Sequence, residues 1–193
     1  MIPLLVIRHG RTDWNEVGLI QGRADRPLSE VGRTQVCGLR LPDAWRGVQC
    51  LSSPLRRAME TAILLGLEPR AEPRLIEMAW GEWEGKSLGA LRAELGSAMA
   101  ENEARGLDFR PPGGESPRDA QARLRPLLRE LRARTIFVTH KGVLRALYAL
   151  ASGWKMIGKA PQKLIDGRAH AFAVAADGTP SVSELNISLE SRP

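Results

Sequence analysis

The chain has 193 residues, 43% hydrophobic and 26% charged, with a net charge of +6. That length suits one sizeable α/β core, so a single domain over residues 1–193 is expected, and no apolar run approaches the roughly 18 residues of a membrane helix, so no membrane partner is expected. The basic balance fits an acidic small molecule such as a phosphate, a nucleic acid, or an arginine-rich surface.

Met1 leads straight into the apolar run Ile2–Ile7, without a basic segment or cleavage site, so a strand and no signal peptide are expected. Ser29 to about Ala44 reads as a helix weakened by Gly32, Gly38 and Pro42. Val48–Ser52 is a second strand. "SPLRRAMETAILLG" (53–66) then offers a capping serine, a proline at the first helical position and a glycine stop. Cys37 and Cys50 fit no metal spacing and read as reduced thiols of a cytoplasmic protein. Lys86–Ala104 is an interrupted helix and "RPPGGES" (110–116) a loop, a lid hinge or a plain turn. Pro117–Arg132 is helical, with Pro126 expected to kink or restart it. Leucines at 124, 127, 128 and 131 give this helix an apolar face, and its arginines fall on a solvated one, so no nucleic-acid partner is expected. "TIFVTH" (135–140) is a third buried strand, Lys141–Gly153 a helix with its stop, and 169–187 a hairpin turning near Asp177-Gly178. Alternating strands and helices imply a mostly parallel sheet with helices on both faces, the last hairpin adding antiparallel edge strands.

In such sheets ligands bind beyond the carboxyl ends of the strands. Three strands end there on polar residues: Arg8-His9-Gly10, Ser53 leading to Arg56-Arg57, and His140-Lys141-Gly142. This combination suits a phosphate ester. Arg8 and Arg57 offer planar forks for phosphate oxygens, the segments starting at Gly10 and Lys141 offer free N–H groups, and Asn15 and Gln21 offer neutral donors. His9 can act as a nucleophile if neighbouring arginines keep it neutral and an acceptor fixes its tautomer. His140 is expected across the phosphate as a donor, protonated once phosphate is bound. A proton donor to the leaving alkoxide is needed, and Glu77, Glu82 and Glu84 are candidates. Glu77, after Leu75-Ile76, is the one anchored near the core.

"LLVIRHGRTDWN", "GRADRPLSEVG", "SSPLRRAMETA", "IEMAWGEWEG", "PPGGES" and "VTHKG" together resemble the successive motifs of the histidine phosphatase superfamily, in its phosphoglycerate-mutase-like branch. The resemblance spans residues 2 to about 150. It implies a three-layer α/β/α sandwich, a phosphohistidine on His9, a phosphate pocket of Arg8, Arg57 and His140, and Glu77 as proton donor. Asn15, Gln21 and Gly22 match positions that contact phosphate or substrate, and neither metal nor other cofactor is implied. Lys141 departs from the usual glycine; it would approach a phosphate or carboxylate, or point to solvent. Pro126 is also unusual. His170, in an alternating strand, reads as structural, although that strand starts near the pocket rim. Trp14, Trp80 and Trp83 shape a pocket or merely pack loops.

Three functions follow. A phosphatase hands the phosphoryl group to water. A mutase returns it to a retained substrate and must exclude water. A non-catalytic module would use the fold to hold nucleic acid or a partner. The short interval from Gly85 to His140 favours the phosphatase over the mutase, and the full set of matched residues disfavours the binding module. The expected partner is a small-molecule phosphate ester; the sequence leaves the oligomeric state open.

Overall fold

A computed structural model describes residues 1–191. The strands are β1 (Ile2–Arg8), β2 (Leu39–Arg40), β3 (Gln49–Ser52), β4 (Pro69–Ala71), β5 (Thr135–Thr139), β6 (Ala169–Val174), β7 (Pro180–Ile187) and β8 (Glu190–Ser191). The helices are α1 (Asp13–Glu16), α2 (Glu30–Cys37), α3 (Arg56–Leu64), α4 (Leu88–Leu95), α5 (Ser97–Ala104), α6 (Pro117–Glu130) and α7 (Lys141–Ser152). Six strands form one sheet in the order β4-β3-β5-β1-β6-β7, and β2 pairs separately with β8. β4, β3, β5 and β1 run parallel, and β6 and β7 antiparallel. The expected α/β sandwich is therefore present, with a mixed central sheet.

Strand alternation divides the core in two. Leu4, Val6, Leu51 and Phe137 face α6 and α7, where they meet Leu124, Leu128, Leu144 and Leu147. Leu5, Ile7, Cys50, Ile136 and Val138 face the other way, onto Val36 of α2 and Ala58 and Ala62 of α3. Helices thus cover both faces, as parallel strands require. A smaller cluster of Trp83, Leu91 and Met99, joined by Trp80, Leu88, Leu95 and Phe109, packs residues 80–109 together beside the cavity described below.

Several expectations change. The helix expected over 29–44 stops at Cys37: Gly38 caps it, and Leu39-Arg40 pairs with Ser191-Glu190 instead. Ser53 is not a helix cap and Pro54 not a first helical residue, because α3 starts at Arg56 with no side-chain cap. The interruption expected in 86–104 is borne out: it is two helices, broken at Gly96, whose φ of 52° ends the first. Pro126 does not restart α6, which is continuous through it. Pro126 lies on the exposed face, so the carbonyl it leaves without a partner faces water, while Leu124, Leu127 and Leu128 anchor the helix on both sides. Ser116 and Asp119 close a capping box at its start. None of the helices among the described residues is long and apolar enough to cross a membrane.

Candidate active site

Register brings the polar strand ends together. Arg8 pairs with Thr139 and Ser52 with Val138. The ladder then continues one step, as His9 N–H donates to Thr139 O (2.9 Å) and Ser53 N–H to Val138 O (2.9 Å). His9, Ser53 and His140 are thus delivered side by side, and the His9 and His140 rings lie 5.0 Å apart between centroids. The Gly10 N–H is tied to Thr61 Oγ1 of α3 (2.9 Å), which holds the turn after the histidine.

A cavity of about 950 Å³ opens over this edge. Arg8, His9, Asn15, Gln21, Gly22, Arg57, Glu77 and Lys141 all line it. His9 is only 7% exposed. Its Nδ1 lies 2.7 Å from Gly10 O, a contact that requires the proton on Nδ1. Nε2 therefore carries the lone pair and has no protein partner among the described residues. Burial, followed by the charges of Arg8 and Arg57, holds its pKa well below 6.5, so the ring is neutral at pH 7. Those are the two features a nucleophilic imidazole needs.

Glu77 is also buried, and its carboxylate sits on the start of α7. Oε1 accepts from Met78 N–H (2.8 Å) and Val143 N–H (3.3 Å), and Oε2 from Gly142 N–H (3.1 Å). Burial raises its pKa; the Met78 and Gly142 N–H groups, then Arg57 and Arg8, pull against that rise without cancelling it. Gly142 matters here because a Cβ at that position would come within 2.6 Å of Glu77 Oε1. Glu82 is exposed, and its side chain makes no contact of this kind. Glu84 Oε1 accepts from Arg23 N–H (2.8 Å) and Trp80 N–H (3.1 Å), which makes it a brace between two loops. A Cβ on Gly22, whose φ is 51°, would strike that carboxylate at 2.0 Å.

Arg57 is 1% exposed. It donates through Nη1 to Ala24 O (2.7 Å), through Nη2 to Gly22 O (2.7 Å) and through Nε to His140 Nδ1 (3.3 Å). A guanidinium has five N–H groups, so one remains on each terminal nitrogen. Arg8 Nη1 is paired with Asp166 Oδ1 at 2.5 Å, and its buried Nε has no partner. Asn15 spends Oδ1 on the Thr12 capping box, leaving its amide N–H groups for other partners. Gln21 is buried with its Oε1 unpaired.

His140 departs from expectation. It is fully buried and does not line the cavity. Because Arg57 donates to Nδ1, the proton sits on Nε2, 2.7 Å from Ser53 Oγ. Both nitrogens are therefore engaged with protein. Burial, then the proximity of His9, Arg57, Arg8 and Arg123, keeps its pKa well below 6.5. The expected direct donor to a phosphate is here a neutral ring held by Ser53 and Arg57. Lys141 is exposed at the cavity mouth as the first residue of α7, with no ion pair among the described residues.

Other features resolve simply. His170 is buried in β6, accepts from Asn186 N–H through Nδ1 (3.3 Å), and is pushed down to about 4 by burial. "PPGGES" is a pinned turn: Glu115 N–H donates to Ala79 O (2.8 Å) and Glu82 N–H to Pro112 O (3.1 Å). Trp80 lines the cavity and packs on Trp83 and Phe109, whereas Trp14 lies under the Arg26 guanidinium, outside the cavity wall. The sequence reading missed Ser53, Thr61 and Asp166 as site residues. Ser53 and Thr61 lie inside a quoted motif, but their role depends on which strand end they meet.

A profile of the histidine phosphatase superfamily (branch 1) matches residues 4–166. The chain belongs to that superfamily. It is 35% identical over 184 residues to a glucosyl-3-phosphoglycerate phosphatase of Mycobacterium tuberculosis, covering 80% of this chain and 79% of that one. It is 34% identical over 170 residues to a 2,3-bisphosphoglycerate-dependent phosphoglycerate mutase of a Methylobacterium species, covering 78% and 80%. The mycobacterial glucosyl-3-phosphoglycerate phosphatase, solved with VO3, superposes with a TM-score of 0.80 at 29% identity, over 97% of this chain and 100% of that one. The phosphatase assignment made from the sequence agrees with the family, its relatives and the fold.

Proposed function

We propose that this chain hydrolyses phosphate monoesters in two steps through a phosphohistidine on His9. His9 Nε2 attacks phosphorus in line, and Glu77 gives its proton to the leaving alkoxide. Glu77 then takes a proton from water, which attacks the phosphohistidine and releases inorganic phosphate. Arg8, Arg57 and Asn15 hold the equatorial oxygens, with Gln21 and the Gly22 backbone at the rim, and positioning and charge do most of the catalysis. His140 exchanges its Ser53 contact for a phosphate oxygen as the dianion arrives. The observation that carries this reading is the pinned, neutral His9 with Nε2 free on the wall of a cavity shared with two arginines and a buried Glu77 whose pKa burial raises.

Hydrolysis is favoured over mutase chemistry by what lies between Gly85 and His140 before β5 and α6: two short helices and a turn. A mutase needs more cover to keep water from its intermediate. We also read residues 1–193 as one catalytic unit, acting in the cytoplasm on a soluble ester without metal.

Brief mixing with a labelled ester, followed by alkaline quench, tests this. An acid-labile, base-stable phosphoprotein that is absent in His9→Ala is the expected result, with inorganic phosphate as the product. Full turnover by His9→Ala would refute the nucleophile. Interconversion of 2- and 3-phosphoglycerate without phosphate release would favour the mutase.

A further inference from the structure

The segment that carries Glu77 has no regular structure of its own. Residues 77–80 lie in no helix or strand, so side chains and neighbouring turns must satisfy their backbone groups. Arg23 Nε donates to Glu77 O (3.3 Å). Glu115, from the turn before α6, holds Ala79 on both sides: its N–H donates to Ala79 O (2.8 Å), and its Oε2 accepts from Ala79 N–H (3.2 Å). Three residues before Glu77, Arg74 O accepts from Arg123 Nη1 of α6.

Both of those arginines meet at one carboxylate. Glu115 Oε1 accepts from Arg23 Nη2 (2.9 Å), and Oε2 from Arg123 Nη2 (3.4 Å). Burial lowers the Arg123 pKa; Glu115 and Glu77 oppose that fall, and the charge of Arg23 adds to it. Without the Glu115 carboxylate, two neighbouring guanidiniums would repel and Ala79 N–H would lose its acceptor. The clamp also reaches the other end of the site. Arg23 follows Gly22, whose carbonyl accepts from Arg57 Nη2 (2.7 Å). One side chain therefore fixes the loop tied to Arg57 against the segment that bears Glu77. Among the described residues, Glu115, Arg23 and Arg123 do not line the cavity, so this clamp acts from behind its wall.

We propose that Glu115 is a positioning residue for proton transfer: it sets the Glu77 carboxyl against the bridging oxygen of an ester held at Arg57. This rests on the hydrolase reading above and adds to it a residue that acts only through Glu77.

The test compares kcat/KM for phosphate release from two esters. One is an alkyl ester that needs the proton, whichever of glycerol 3-phosphate and 3-phosphoglycerate the wild type turns over faster. The other is p-nitrophenyl phosphate, whose leaving group needs no proton. Glu115→Ala is expected to lose about tenfold or more on the alkyl ester and less than about twofold on the aryl ester, because a displaced acid costs proton transfer and spares phosphate binding. Glu115→Gln keeps the size and one acceptor oxygen but not the charge, and is expected to lose less, with the same selectivity. In a Glu77→Gln background, Glu115→Ala is expected to add less than about twofold, since the proton it would position is gone. No loss, equal losses on both esters, or a full further loss in the Glu77→Gln background overturns the assignment and leaves the hydrolase reading intact. If Glu115→Ala fails to fold, Glu115→Gln, alone and combined with Glu77→Gln, decides by the same criteria. A wild type that hydrolyses only the aryl ester also overturns the assignment. One that releases phosphate from none of the three esters overturns both readings.

Discussion

Arg8 Nη1 and Asp166 Oδ1 lie 2.5 Å apart, so a carboxylate from the segment between α7 and β6 occupies one of the guanidiniums expected to bind phosphate. Partial burial tends to raise the Asp166 pKa. Arg8, Lys141 and Lys163 outweigh that and hold it below the usual carboxylate range, so it is charged at neutral pH. Asp166 is thus an internal competitor for a phosphate dianion. Its side chain is well exposed, and such pairs are worth about 1 kcal/mol at most, which is up to roughly fivefold in affinity. Asp166→Asn is expected to lower KM, and the inhibition constant of inorganic phosphate, within that range. Weaker phosphate inhibition in the variant would mean that Asp166 positions Arg8 instead.

Glu77 sits on three N–H groups yet keeps a raised pKa because burial dominates. Glu77→Gln keeps the shape and removes the transferable proton. Alkyl esters, whose alkoxides need that proton, are expected to slow by about 10²–10⁴-fold, and aryl esters with good leaving groups far less. Equal losses on both would point to another acid. Gly142→Ala should show the same alkyl-selective loss in milder form, because its Cβ would crowd Oε1.

The three histidines make stability depend on pH in a defined direction. His9 and His140 lie well below 6.5 in the fold, and His170 at about 4. The unfolded chain protonates the same rings near pH 6.5, so unfolding below that pH takes up protons. Their contribution is full above about pH 6.5 and falls as pH drops towards each folded value, by roughly 1.4 kcal/mol per pH unit for each ring. Glu77 runs the other way: its raised pKa stabilises the fold at low pH and that gain fades as pH rises through the folded value. Three groups against one leave a net loss between pH 6.5 and 5. Urea midpoints at pH 7 and pH 5 check this, and equal midpoints would contradict neutral buried rings.

Ser53→Ala leaves the buried Nε2–H of His140 without an acceptor. A cost of about 1–3 kcal/mol is expected, lowering Tm by several degrees in a chain of this size. If His140 exchanges Ser53 for phosphate, saturating inorganic phosphate should recover part of that Tm in the variant. Recovery no greater than in the wild type would place His140 outside the phosphate contacts.

Legibility in the sequence followed the range of the interactions involved. Arg8, His9, Arg57 and Glu77 were readable because short motifs carry them, and the strand ends that deliver them are apolar runs with obvious limits. Helix ends were less so. Gly38 ends α2 at Cys37 because residues 39 and 40 find strand partners near 190, a pairing far away in sequence. Ser53 looked like a helix cap by its local pattern, and only the sheet register reveals that it meets His140. Asp166 carries no motif; its meaning comes from the Arg8 guanidinium that lies opposite.

Arg57 has a double duty with consequences for anyone replacing it. The guanidinium that faces the cavity is also the tether holding the carbonyls of Gly22 and Ala24, and with them the loop that carries Gln21 to the rim. Lysine, with a single nitrogen, cannot span both carbonyls and the imidazole at once. An inactive Arg57 variant would therefore report a slackened doorway as much as a missing charge, and guanidine added from solution could restore the charge without refastening the loop.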